Sequence, residues 1–434
     1  MHPLWMVLAV VTLLYAMYIP YYWNLPMLKK VLQPLRQFRS PDRLSWIFYF
    51  IISVYTALVL DYLLTLFAAR RKQMLGYVVV VPVLLIWFID ANGNIIYIHR
   101  ASENLKANSD QFFMKEGSFK DFLEAKDWNP GSFQAILPLP YVSVGSEKLW
   151  MHENQTYAHD MAYRASLELH LPLMSVMMSR TSWSQTFRQV KIASGIYGSH
   201  PVLEEIGNKP LLLMVYPNDP LNPDEEEIVH SAALLGEAGG CRLYSFHPAT
   251  FAERKQKAWK EALDIAASQR TQDSVIGDTT LLYIDHFDGH QSGFAFKDHN
   301  AAPAIKGWDS LAFVKDIPAQ AIGQQFELSA WVKLPENNHR NCYFDVVCRD
   351  SGGKELYREH AFGKMSADNA PGFWFRLNHF FHIPEGSTRL EVYYFNEPDP
   401  NYLAVDQLML RPAKTLIISK RNGAVFANNH LLQR

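Results

Sequence analysis

The chain has 434 residues, a length that suits two to four domains better than one. Its 41 basic and 43 acidic side chains nearly cancel and aromatic residues reach 13%, which excludes a disordered chain and a nucleic-acid binder working by bulk positive charge. Three cysteines, Cys241, Cys342 and Cys348, leave no disulfide framework and no zinc spacing. Cys342 and Cys348 fall six apart in one strand-like run, roughly 20 Å apart on one face and beyond disulfide reach.

The first ninety residues differ from the rest. Leu4 to Trp23 carries no charge and is long enough to cross a hydrocarbon core of about 30 Å as a helix. A cleaved signal peptide is the competing reading, but the start lacks Lys or Arg and the end offers no small-residue cleavage site. Trp46 to Ala68 is a second span, interrupted by Asp61, and Gly76 to Ile89 is a third and shorter one. An intramembrane carboxylate such as Asp61 is a functional candidate by default, with helix contact as its plain alternative. Arg70, Arg71 and Lys72 mark the turn between the second and third spans as cytoplasmic and place the long remainder outside. The first loop, with Lys29, Lys30, Arg36, Arg39 and Arg43, then contradicts the same rule. An interfacial amphipathic helix over Met27 to Phe38, its cations meeting lipid phosphates, resolves the conflict. A re-entrant span with a cytoplasmic soluble part is the alternative.

Residues 92–272 read as a small α/β domain outside the membrane, with strand-like runs at Ile95 to His99 and Gln134 to Leu137 and a helix over Ala158 to His170. The apolar run Pro210 to Tyr216 suits a buried strand. Asn222, Pro223 and Glu225 then mark a helix start, with Asn as cap, Pro at the first helical position and Glu completing a capping box. The acidic residues Asp224 to Glu227 thus belong to a positive helix terminus rather than a metal site. That helix is expected to end near Gly236 to Gly240 and to feed a strand over Cys241 to Phe246, a βαβ-like unit. His152, Glu153, His159 and Asp160 lack the spacing of a zinc helix, and the serines at 175, 179, 182 and 184 lack a nucleophile elbow.

Beyond a helix over Phe251 to Gln269 the period becomes two. Phe326 to Lys333, Cys342 to Arg349, Trp374 to Ile383 and Arg389 to Phe395 alternate, with Gly-containing turns between them, which predicts an antiparallel β-sandwich over 278–434. The order of Asp285-His-Phe-Asp288, the strand at 326–333, Gly372 to Pro384 and Val405-Asp406-Gln407-Leu408 resembles jelly-roll carbohydrate-binding modules and their galactose-binding-like relatives, over about 280–412. That resemblance implies a structural calcium at Asp288 and Asp406, and glycan stacking on Trp308, Trp331, Trp374 or Tyr393, rings that core packing explains equally well.

Leu25-Pro26 and Phe38-Arg39-Ser40-Pro41-Asp42-Arg43 leading into a span resemble the late transmembrane part of polytopic GT-C glycosyltransferases, over roughly 20–250. The resemblance implies a polyprenyl-phosphate-linked sugar as partner, with Arg36, Arg39 and Arg43 as phosphate ligands, and lipid headgroup anchoring is the equal alternative. Such enzymes carry an essential carboxylate in the first outer loop and eight or more spans, and this chain offers only Asp42 and three spans. Two readings follow. One is the C-terminal part of an envelope glycosyltransferase of the inner membrane, its outer domains guiding acceptor glycan and its helices meeting other membrane helices. The other is a non-catalytic, membrane-anchored glycan-binding or accessory protein.

Overall fold

The computed structural model describes residues 3–17, 19, 44–112, 118–145, 150–151, 157–178, 181–269, 271–288, 296, 310–333, 342–362, 367–396 and 404–432. It divides into two compact units, Met1–Ala107 and Asn108–Arg434.

The first unit is helical: Pro3–Ala16, Ser45–Ala69 and Gln73–Phe112. Side chains on every face are apolar and exposed, Trp46, Phe50, Ile86 and Trp87 among them, which is how a helix looks when its solvent is lipid. Among the described residues two helices, Ser45–Ala69 and Gln73–Arg100, are long and apolar enough to cross a membrane, where three were expected. Of the expected first span, 4–23, the helix Pro3–Ala16 is described, 14 residues or about 21 Å, and residues 18 and 20–23 lie outside the described residues. The third span does not stop at Ile89. Its helix continues through Asp90, Asn92 and Asn94 to Phe112, so Ile95 to His99 is helical rather than a strand. β-branched Ile95, Ile96 and Ile98 suggested extended chain, but no proline follows Pro82 and the Ala-, Glu-, Leu- and Lys-containing tail favours helix.

The second unit begins with an α/β layer. Its strands are β1 (Ile136–Leu139), β2 (Ser143–Gly145), β3 (Trp150–Met151), β4 (Val176–Met178), β5 (Leu211–Val215), β6 (Ala232–Ala238) and β7 (Cys241–Phe246), the main sheet having the order β1-β5-β7-β6. Alternate residues of β1 and β5 face opposite sides, as the pleat requires. Ile136, Leu212 and Met214 meet Ala158, Met161, Ala162 and Ala165 of the helix Tyr157–Leu169, whose buried positions recur every three to four residues. Leu137, Leu211 and Leu213 meet Val190, Ile228 and Phe251 on the other side. The capping box is present: Asn222 Oδ1 accepts the Glu225 N–H and Glu225 Oε2 accepts the Asn222 N–H. Glu225 also accepts the Tyr141 N–H at 2.7 Å and ties this helix to the end of β1. The helix ends at His230, not near Gly236. The Ala-Ala-Leu-Leu run forms β6 instead, turns through Gly239 and Gly240 at φ +58° and +75°, and pairs with β7. β7 therefore lies antiparallel to β5, and the expected βαβ unit is a strand, helix and hairpin.

The remaining strands are β8 (Asp273–Ile276), β9 (Tyr283–Asp285), β10 (Ser310–Asp316), β11 (Gln325–Lys333), β12 (Cys342–Arg349), β13 (Glu355–Phe362), β14 (Asp368–Ala370), β15 (Trp374–His382), β16 (Arg389–Asn396), β17 (Ala404–Pro412), β18 (Leu416–Arg421), β19 (Ala424–Ala427) and β20 (His430–Leu432). They build the expected antiparallel sandwich from a four-stranded sheet, β10-β16-β12-β13, and a five-stranded sheet, β14-β15-β11-β17-β9. Phe344, Val346, Cys348, Leu390 and Val392 of the first sheet share one core with Phe326, Leu328, Ala330, Val332, Leu408 and Leu410 of the second. A third sheet, β20-β19-β18-β8, packs through Ile418 and Ala427 on Ala262 and Ala266 of the helix Pro248–Ser268.

Candidate functional site

Each sandwich sheet has one inward and one outward face, and the two outward faces have different fates. That of the five-stranded sheet is covered. Glu327, wholly buried, pairs with both Arg376 and Arg411. Arg376 also donates to the Asn428 carbonyl at 2.8 Å, and the Trp331 indole N–H donates to the Asn429 carbonyl at 2.9 Å. His430 of β20 pairs with Asp368 of β14. Burial pushes the carboxyl of Asp224, at the start of the helix Pro223–His230, up to about 6, although His430 and Arg376 pull the other way. Buried, mutually neutralised charges of this kind hold parts of a fold in one arrangement and leave little for a ligand.

The outward face of the four-stranded sheet keeps an exposed margin instead. With Phe344, Val346, Cys348, Leu390, Val392 and Tyr394 turned inward, Tyr343, Asp345, Val347 and Arg349 of β12 and Arg389, Glu391, Tyr393 and Phe395 of β16 share the outer side. Register sets the side chains in rows across the strands. Leu311, Tyr393, Asp345 and His360 form one row, and Glu391, Val347 and Arg358 form the next. At one end the rings of Tyr343 and Phe395 stack with centroids 4.1 Å apart and planes at 14°, and the His360 imidazole lies 4.7 Å from Tyr343.

Between the rings and the far end stand two carboxylates. Asp345 accepts from Arg358 Nη1 at 2.6 Å and pairs with His360 Nδ1. Glu391 accepts from the Tyr393 hydroxyl at 2.6 Å and Arg349 Nε at 2.9 Å, and forms an ion pair with Arg389 at 3.0 Å. Burial alone would raise the Glu391 carboxyl, but the Tyr393 hydroxyl and the two guanidiniums outweigh it and hold it below the usual range. Burial first, then this carboxylate, raise the Tyr393 phenol, which stays protonated and donating. The floor of the face, Asp345, Val347, Glu391 and Phe395, is buried, Tyr343 and Tyr393 are half-buried, and Leu311, Arg358, His360 and Arg389 are exposed. Chemically this is an aromatic surface bordered by fixed hydrogen-bonding groups.

Of the residues singled out from sequence, Tyr393 belongs to this face. Trp331 and Trp374 are brought together, but inward of the cover, with Phe296 stacked on Trp331 at 4.1 Å and 5.2 Å from Trp374. Trp308 lies outside the described residues, as do Arg36, Arg39 and Arg43. Asp406 is buried and accepts the N–H of Phe296 at 2.9 Å and of Gln407 at 2.8 Å, while Asp288 pairs with Arg421 at 3.2 Å. Among the described residues no three His, Cys, Asp or Glu side chains gather as a metal set. His152 and Glu153 lie outside the described residues, and His159 is buried with Nδ1 2.8 Å from Ser175 Oγ, its imidazole pushed down to about 4 by desolvation. Asp345, Arg349, Arg358, His360, Arg389 and Glu391 were missed. Their signal was available: the charged residues Asp345, Arg349, Arg389 and Glu391 all fall on odd positions of 342–349 and 389–395, and the even positions carry no charge.

No family model and no curated protein matches this chain. Among solved structures it is similar to the enzymatically active domain of tailspike protein 4 of bacteriophage CBA120, at 11% identity over 34% of this chain and 20% of that one, with a TM-score of 0.21. It is similar to the C-terminal family 22 carbohydrate-binding module of Clostridium thermocellum Xyn10B at 14% identity, over 34% of this chain and 90% of the module, TM-score 0.21. The xylan-binding domain of Paenibacillus barcinonensis Xyn10C follows at 16% identity, over 34% and 88%, TM-score 0.20. This chain thus spans about a fifth of the tailspike chain and most of each module. At these scores the likenesses carry no functional weight.

Proposed function

We propose that the protein is a membrane-tethered glycan-binding protein of the cell envelope and that the outward face of the four-stranded sheet binds the glycan. The reading is carried by one arrangement: the half-buried rings of Tyr343 and Tyr393 on the outward face of the four-stranded sheet, Tyr343 backed by the buried Phe395, next to hydrogen-bonding groups fixed by Asp345 and Glu391. Sugar rings present C–H faces that aromatic rings cover and hydroxyls that need directed partners. Groups locked by their own ion pairs lose little freedom on binding.

Binding is favoured over catalysis because neither carboxylate is placed to donate a proton. Asp345 accepts from Arg358 and pairs with His360, and Glu391 accepts from two donors and pairs with Arg389. The helices Ser45–Ala69 and Gln73–Arg100 serve as the tether. The basic turn Arg70 to Lys72 on the cytoplasmic side sets residues 108–434 outside the inner membrane. The motif at 38–43 supports a finer reading, in which this is the acceptor-guiding part of a GT-C-type enzyme that uses a polyprenyl-phosphate-linked sugar. The intact mass of the protein from its native membranes tests that finer reading, since further spans ahead of Met1 would support it.

The binding reading is tested with the full chain in detergent on immobilised glycans. Tyr393→Ala and Tyr343→Ala are expected to weaken retention tenfold or more while the melting temperature moves little. Retention unchanged by both substitutions, or no retention on any glycan, would overturn it.

A further inference from the structure

Asp61 is the one charged side chain of the helix Ser45–Ala69. That helix has 25 residues with Ala57 at its middle, so Asp61 lies four residues, or about 6 Å, from the middle. With the helix centred in a hydrocarbon core of about 30 Å, the carboxyl is well inside the core. An Asp side chain is too short to reach water from that depth, and a carboxylate facing lipid there is costly.

The neighbouring helices leave this side chain alone. Thr65, one turn on, donates its hydroxyl to the Asp61 carbonyl at 3.0 Å, and the carboxylate itself has no hydrogen bond or ion pair among the described residues. Pro3–Ala16 packs on the same helix, whose buried residue Ile51 lies about 80° around the axis from Asp61. Gly76, in the next helix, meets Leu64 and Phe67, about 60° and 120° away on the other side. Between them Val54, Ala57, Leu58, Asp61, Thr65 and Ala68 form a stripe within about 60° of Asp61, and every one of them is exposed. Ala57, Thr65 and Ala68 are small, and small residues around a polar one let a second helix backbone come close.

Charge decides what would cover the stripe. Pro3–Ala16, Ser45–Ala69 and residues 73–89 contain no Lys, Arg or His, and Arg70 is nine residues, or about 14 Å, further along. A second copy laid on this stripe would set Asp61 against Asp61. We infer that the stripe docks a separate membrane helix carrying Lys or Arg at the matching depth, with the Asp61 carboxylate accepting from that cation. The inference rests on the membrane-tether reading above and adds the kind of partner the tether holds.

The test reconstitutes the full chain in phosphatidylcholine vesicles with synthetic membrane-spanning polyleucine peptides, one all-Leu and one with a single Lys near its middle. Association is read by fluorescence transfer. The Lys peptide is expected to associate roughly tenfold more tightly than the all-Leu peptide, the scale of a charge-assisted hydrogen bond. Asp61→Asn should remove most of that preference, and Ala57→Leu, which keeps the charge but crowds close approach, should weaken association severalfold. Equal association of the two peptides with a chain that resists carbonate extraction, or a Lys preference that survives Asp61→Asn, would overturn the docking inference and leave the tether standing. Self-association of the chain without peptide, abolished by Asp61→Asn, would make a second copy the occupant and overturn the basic helix. A chain that carbonate extracts from the vesicles would overturn both the inference and the tether.

Discussion

The two outward faces of the sandwich are made of the same materials and are put to opposite uses. On the five-stranded sheet Glu327, Arg376, Arg411 and Trp331 are sealed under the chain's last strands. On the four-stranded sheet Glu391, Arg349, Arg389 and Tyr393 meet in a similar pattern, but the guanidiniums keep an edge in solvent. Burial decides the difference. An ion pair without water fixes an arrangement, and its loss strands a charge in low dielectric; one at the surface contributes little to stability and remains available to a ligand.

The largest expected effect follows from that contrast. Glu327→Ala removes the carboxylate that two buried guanidiniums share and is expected to cost about 3–5 kcal/mol, read as a large drop in the denaturation midpoint. A loss below 1 kcal/mol would show that water reaches this junction, and the two faces would no longer differ in kind.

Neighbouring residues of β16 give the same comparison within one strand. Leu390→Ala, facing the core, is expected to cost roughly 2–5 kcal/mol, and Arg389→Gln, with 52% of its side chain exposed, less than about 0.5 kcal/mol. Similar costs for the two would mean that the outward face is covered by another part of the assembly.

Asp224 adds a pH signature confined to the covered side. Its folded carboxyl is raised to about 6 from 3.8, so it favours folding while protonated at low pH, and that contribution is lost as pH rises from about 4 through about 6. Asp224→Asn is expected to remove this decline and to make the variant more stable than the parent at pH 7 by roughly 1–3 kcal/mol, with the gap closing near pH 4. Chemical denaturation at the two pH values checks it. Parallel stability curves for the two proteins would place Asp224 in contact with water.

Much of this architecture was legible from local rules. Asn222-Pro223-Asp224-Glu225 marked its helix start because every partner lies within four residues, and the strand at 342–349 was found to the residue because a pleat repeats every two. The role of each aromatic was not legible. Trp331 and Tyr393 both sit in alternating strands, and only contacts 98 residues away, between Trp331 and Asn429, make one of them core. The Ala-Ala-Leu-Leu run of β6 misled for the same reason: its helix propensity yields to pairing with β7. Sequence alternation told which residues share a face, and long-range packing told which face the chain's last strands cover.

The smallest effect on stability should carry a large effect on binding. Tyr343→Leu keeps an apolar side chain in place and removes ring contacts, among them the stacking with Phe395, worth about 0.5–1.5 kcal/mol. If the four-stranded face were built to hold the fold, as its five-stranded counterpart is, that small loss would be the whole consequence. If it is built to receive a sugar ring, glycan retention should fall tenfold or more in a protein that melts within a few degrees of the parent. The ratio of the two effects, measured on the same preparation, therefore distinguishes a face that stabilises from a face that binds, and Trp331→Leu on the covered sheet should show the inverse ratio, with stability lost and no binding change beyond the loss of folded protein.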